Sequence, residues 1–177
     1  MKRLGIGLVV MITAACGGGG GGGSFEADLD PEVVTNLPAG DGTGTAATGD
    51  YDLVSVTTGC AGDCLLGGSD MDPGFPVCDV GTELTQTAHV EQDGGLLDID
   101  VDGSDYVSQL AGGINADGSF EVGGYVTQNA GEVELTSREV GTFGGASLSG
   151  TGRLQIIGGD LDCLIEVDLE GTRQSPI

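Results

Sequence analysis

After residue 50 the chain alternates apolar and polar residues with a period of two. The clearest run is Leu161-Asp162-Cys163-Leu164-Ile165-Glu166-Val167-Asp168-Leu169-Glu170, with apolar side chains at odd positions and carboxylates at Asp162, Glu166, Asp168 and Glu170. Successive strand side chains point to opposite faces, so this run predicts a strand with one dry and one wet face. The alternation recurs around Leu97, Ile99 and Val101, around Phe120 and Val122, and around Val133 and Leu135. Turn signals separate the runs at Asp93-Gly94-Gly95, Asp102-Gly103, Asp117-Gly118, Asn129-Ala130-Gly131, Gly144-Gly145 and Gly158-Gly159-Asp160. Several of these suit the positive φ of tight hairpins. The pattern predicts eight strands, over residues 51–58, 83–92, 96–101, 105–114, 119–128, 132–143, 146–157 and 161–173.

Consecutive hairpins with short loops give an all-β, antiparallel up-and-down meander. Eight such strands can close into a barrel that leaves no exposed edge; a β-sandwich is the alternative. The inward face would carry Leu97, Ile99, Val101, Phe120, Val122, Val133, Leu135, Leu148, Leu154, Ile156, Ile165, Val167 and Leu169, with Gly150 and Gly152 allowing sharp coiling.

The N-terminus follows a different logic. Met1-Lys2-Arg3 precedes an apolar run ending at Ile12, too short to span a bilayer, and then Thr13-Ala14-Ala15-Cys16. This order is that of a secretory signal. Thr13-Ala14-Ala15-Cys16 resembles the lipobox of bacterial lipoproteins, with Thr13 where that motif usually carries Leu. The resemblance implies a signal peptide over residues 1–15 and a Cys16 that becomes the first mature residue, carrying a diacylglycerol and usually a third acyl chain such as palmitate. Two or three chains hold a protein on a membrane firmly, at about 0.8 kcal/mol per buried methylene. Gly17, where retention would require Asp, implies delivery to the outer membrane, on its periplasmic or cell-surface face. Glycines 17–23 form a flexible leash, and the Asp-, Thr-, Gly- and Ala-rich stretch that follows has no usable periodicity. Residues 16–50 are therefore expected to be a disordered tether, and residues 51–177 the barrel.

Charge narrows the partners. Of 177 residues 28 are Asp or Glu and five are Lys or Arg, two of which, Lys2 and Arg3, lie in the leader. Only Arg138, Arg153 and Arg173 then balance the carboxylates, which excludes nucleic-acid binding and electrostatic membrane association. The membrane is reached through the lipid alone. The meander resembles the architecture of the lipocalin and avidin superfamily over residues 51–173. No ligand follows from that resemblance: Gly49-Asp50-Tyr51 has Tyr where lipocalins carry the Trp of their Gly-x-Trp motif, and the chain has no Trp.

Cys60, Cys64, Cys78 and Cys163 make an even set in an exported chain and predict two disulfides. In an up-and-down barrel the first and last strands are neighbours, so all four thiols should gather at one rim. Cys60 with Cys163 and Cys64 with Cys78 is the favoured pairing; Cys60 with Cys78 and Cys64 with Cys163 stays open beside it. Zinc is disfavoured by the oxidising compartment and by the distance of the single histidine, His89, which alternates with Thr85 and Thr87 as a solvent-facing strand residue.

Asp98, Asp100, Asp102 and Gly103 match the first half of an EF-hand loop, but Gln109 stands where a bidentate Glu belongs, and Ile99 and Val101 read as inward strand residues. A looser calcium site could form from Asp70, Asp72, Asp79 and Glu83 in the long connection; no other cofactor is indicated. A Ser-His-Asp triad would have to use His89, and no Gly-x-Ser-x-Gly elbow is present, so no catalytic residue is assigned and no enzyme expected. The expected protein is a lipid-anchored, non-enzymatic acidic barrel scaffold, the scarcity of aromatics favouring an interior filled by its own side chains. The alternatives are a lipocalin-like module taking a small apolar or cationic molecule at the cysteine-rich rim, and a calcium-binding protein. A cavity above about 300 Å³ would favour the ligand module.

Overall fold

In a computed structural model, which describes residues 29–66, 75–104 and 106–174, the alternating segments form one closed antiparallel barrel. The elements in chain order are a short helix α1 (Pro31–Val34), β1 (Gly49–Asp63), a two-residue ladder of β2 (Leu65–Leu66) with β3 (Phe75–Pro76), β4 (Glu83–Asp93), β5 (Leu96–Val101), β6 (Gln109–Ile114), β7 (Ser119–Gln128), β8 (Val133–Gly144), β9 (Ser147–Gly158) and β10 (Leu161–Arg173). From β4 to β10 each strand pairs with the next, and β1 closes the ring between β10 and β4. The eight-stranded meander barrel is thus the observed fold, in keeping with a lipocalin-like architecture.

The dry face is the predicted one. Leu97, Ile99, Val101, Phe120, Val122, Leu135, Leu148, Ile156, Ile165 and Leu169 are buried in a single core, and Val133, Leu154 and Val167 pack against it. Two strand limits move by more than two residues. β1 runs on to Asp63 rather than stopping at 58, carried past a register shift between Thr57 and Gly59 by continued pairing with β10. β6 begins at Gln109 rather than 105, because the chain after Val101 does not turn back at Asp102-Gly103. It makes a longer excursion that buries Val107 against the barrel core and returns through the Val101 N–H bond to Ser108 O.

The expectation of a disordered tether reaching residue 50 is corrected over residues 29–48, which lie against the barrel as a strap. Asp30 caps α1 by accepting the Glu32 N–H (2.8 Å), and Val34 is fully buried. The strap is held mainly through backbone. Gly40 N–H donates to Gly95 O, Gly42 N–H to Ile114 O, and Gly94 N–H to Gly44 O, all between 2.9 and 3.1 Å. Glycine on the barrel wall permits this approach: a Cβ on Gly113 would lie 2.4 Å from Pro38 O, and one on Gly123 would lie 2.7 Å from Val34 O.

Farther along, the strap plugs the barrel end opposite the cysteines. Ala47 is buried, its N–H donating to Gln92 Oε1 (2.9 Å) and its carbonyl accepting from Tyr51 Oη (2.9 Å). Tyr51 packs edge-on against Phe143, which in turn meets Phe120 at 5.0 Å between ring centres. Arg173 locks the strap's end, donating to Ala46 O (3.1 Å) and Thr48 O while lying over the Tyr51 ring. This end of the barrel is filled.

Candidate functional site: the lumen at the cysteine end

The other end is hollow. A cavity of about 430 Å³ occupies the barrel interior beneath the cysteine rim. Its wall is largely apolar, with Leu53 of β1, Val101 of β5, Leu154 of β9 and Ile165, Val167 and Leu169 of β10. Its mouth is framed by Val77, Cys78, Asp79 and Thr82 from the long connection and by Ser104, Tyr106 and Val107 from the excursion after β5. The expectation of an interior wholly filled by its own side chains therefore holds for the strap end and fails for this one. The side chains reaching this half include Ser55, Thr57, Gln86 and Ser137, which are too small or too polar to close it.

Among the described residues one carboxylate lies inside. Glu139 on β8 stands opposite Val122 on β7 and Gly152 on β9, sharing the inward face with both. Gly152 is what makes room for it: a Cβ there would sit 3.2 Å from the Glu139 Cγ and 2.9 Å from a Val167 methyl. With an apolar wall around it, burial pushes the Glu139 carboxyl up to about 7. Among the described residues no side chain is hydrogen-bonded or ion-paired to it. Arg153 borders the same cavity, but its guanidinium is paired with Glu166 (Nε to Oε1, 3.4 Å), and Arg138 is engaged by Glu121 (Nε to Oε1, 2.8 Å).

The four cysteines gather at this rim as expected, but the favoured pairing is overturned. The bonds are Cys60–Cys78 and Cys64–Cys163, with Cα atoms 6.0 and 4.7 Å apart. The reason is the length of β1. Because the strand runs on beside β10, Cys60 stands opposite Ile165 and Gly62 opposite Cys163, which leaves Cys64, just past the strand end, as the thiol beside Cys163. Cys60 is then left to Cys78, which lines the cavity mouth and ties the long connection to β1.

The other sequence candidates fall elsewhere. Asp98 and Asp100 are exposed on β5 while Ile99 and Val101 face inward, so this segment is strand and not an EF-hand. His89 is on the outer face, but not idle: Nδ1 lies 2.7 Å from Asp50 Oδ1 and Nε2 2.9 Å from Asp102 Oδ2. Asp79 stands at the cavity mouth and Glu83 at the start of β4, whereas Asp70 and Asp72 lie outside the described residues, as do residues 1–15 and Cys16. Among the described residues no three His, Cys, Asp or Glu side chains gather as metal ligands, and no helix is long and apolar enough to cross a membrane.

Glu139 is the site residue that sequence reasoning missed. Counting by two from the inward Leu135 reaches Ser137 and then Glu139, so the phase was available; the polar run Thr136-Ser137-Arg138-Glu139 hid it by breaking the apolar alternation. Comparison of the chain with protein-family models, curated proteins and solved structures finds no match.

Proposed function

We propose that the protein is a lipid-anchored, non-enzymatic binding module that takes a small, mainly apolar molecule into the barrel lumen from the cysteine end. The observation that carries this reading is the cavity of about 430 Å³ with its apolar wall, a size within the roughly 300–1,000 Å³ range of small-molecule sites. A scaffold has no need of such a space: filling it with a few larger apolar side chains would add stability. The membrane attachment rests on the lipobox-like Thr13-Ala14-Ala15-Cys16, with outer-membrane delivery implied by Gly17.

The test is binding of an uncharged, environment-sensitive naphthylamine dye, followed by fluorescence. The parent is expected to bind one dye per chain, and Ser55→Phe and Thr57→Phe, which place a ring in the cavity, are expected to abolish binding while keeping the thermal transition. Dye bound equally by the filled variants would refute the lumen as the site. For the anchor, Cys16→Ser is expected to leave the membrane fraction; unchanged fractionation would refute it.

A further inference from the structure

The lumen is apolar but not neutral in design, and Glu139, the one carboxylate among the described residues that lies within it, distinguishes it from a simple grease pocket. Glu139 is given room by Gly152, is flanked by Val167 and Leu169, and has no protein partner among the described residues. A carboxylate in such surroundings is unfavourable unless something opposes its charge. The charged groups around it do not do so. Arg153 is committed to Glu166, and Asp79 at the mouth adds negative charge on the entry path. No lysine lies beyond the leader. An anionic ligand would therefore meet repulsion at the mouth and again inside, whereas a cation would be drawn in and would supply the missing partner.

Resting on the lumen as the binding site, we propose that the ligand is an amphipathic amine, its ammonium against the Glu139 carboxylate and its apolar body along Leu53, Leu154, Ile165, Val167 and Leu169. A charge-assisted hydrogen bond in a low-dielectric cavity is about twice as strong as a neutral one, which gives the amine its advantage over an alcohol of the same shape. Below neutrality Glu139 takes up a proton and the advantage disappears; of the other titratable or charged groups lining the cavity among the described residues, Arg153 is paired with Glu166, and Asp79 and Tyr106 stand at the mouth.

The experiment is displacement of the neutral dye from the lumen by octylamine and by octanol, in about 0.15 M salt so that the acidic outer surface is screened. Near pH 8 octylamine is expected to compete at least about tenfold better than octanol. Glu139→Gln is expected to remove that preference while keeping octanol competition. In the parent, lowering the pH below about 7 is expected to weaken octylamine and leave octanol unchanged. This second readout does not depend on the variant folding. Equal competition by the two probes in the parent, or a preference that survives in Glu139→Gln, would overturn the amine assignment and leave the lumen as a site for neutral molecules. Failure of the dye itself to bind would overturn both.

Discussion

Two titratable side chains carry opposite burdens. His89 has a carboxylate on each ring nitrogen, and only the imidazolium has two N–H groups to donate, so hydrogen bonds to Asp50 and Asp102 raise it to about 9. Its folded value lies above the ordinary 6.5, so these contacts stabilise the fold fully below that pH and fade as pH rises through 9. Because this is the chain's one histidine, its NMR titration is unambiguous. A midpoint near 9 is expected, falling towards the ordinary value in Asp50→Asn; a parent midpoint near 6.5 would mean that neither contact forms in solution. Glu139 is the reverse case. Burial raises it from 4.5 to about 7, so the folded state holds its proton where the unfolded chain has lost it. Stability therefore falls as pH rises from 4.5 through 7, by a total on the order of 3 kcal/mol. Glu139→Gln should be the more stable protein near pH 8, by up to that amount, and indistinguishable from the parent near pH 4. Urea titrations at both pH values check this, and an equal difference at the two would show that the effect is packing and not charge.

At the level of elements, the strap tests how little side-chain information can fix a segment. Its large buried residues are few, Leu29 and Val34 among them, and its position is set by backbone pairing over glycines. Gly123→Val would place a side chain where Val34 now lies, with a Cβ 2.8 Å from that of Val34. The barrel should survive, since β7 keeps its pairing, while residues 29–39 detach. The expected readout is rapid proteolysis and hydrogen exchange confined to α1, at a cost of about 1–3 kcal/mol; unchanged protection of Val34 would show that the strap does not depend on this contact. This mode of attachment also explains what was legible in the sequence. Strands with one wet face announce themselves, because Asp162, Glu166 and Asp168 must alternate with Cys163, Ile165 and Val167, and there the predicted limits hold. The strap's hydrogen bonds run from Gly40, Gly42 and Gly44 to Gly95, Ile114 and Gly94, and main-chain bonds leave no side-chain pattern to read. Glu139 escaped for a related reason: on β8 the inward positions bordering the hollow are the polar Ser137 and Glu139, so this stretch reads as an interruption of the strand.

Across the whole molecule the barrel is closed differently at its two ends, and the two disulfides divide the hollow end between stability and access. Cys64–Cys163 joins the segment just beyond β1 to the start of β10, across the one pairing in the ring that brings together distant parts of the chain. Cys60–Cys78 spans only 18 residues and holds the connection that frames the cavity mouth. The pairing could not be read from the sequence because it depends on how far β1 continues past its register shift, which contact with β10 decides. In the chain-entropy model the bond across 99 residues contributes about 4–5 kcal/mol and the one across 18 about 3 kcal/mol. Replacing Cys64 and Cys163 together by Ser should therefore lower the midpoint of denaturant unfolding more than replacing Cys60 and Cys78. Dye binding should respond in the opposite order. With β1 and β10 still hydrogen-bonded along most of their length, loss of Cys64–Cys163 leaves the cavity walls in place. Loss of Cys60–Cys78 frees Val77, Cys78 and Asp79 at the mouth and should speed dye entry and exit several-fold in stopped-flow mixing. If the Cys60/Cys78 variant exchanged dye at the parent rate, the route into the lumen would have to lie elsewhere along the rim, past Ser104 and Tyr106.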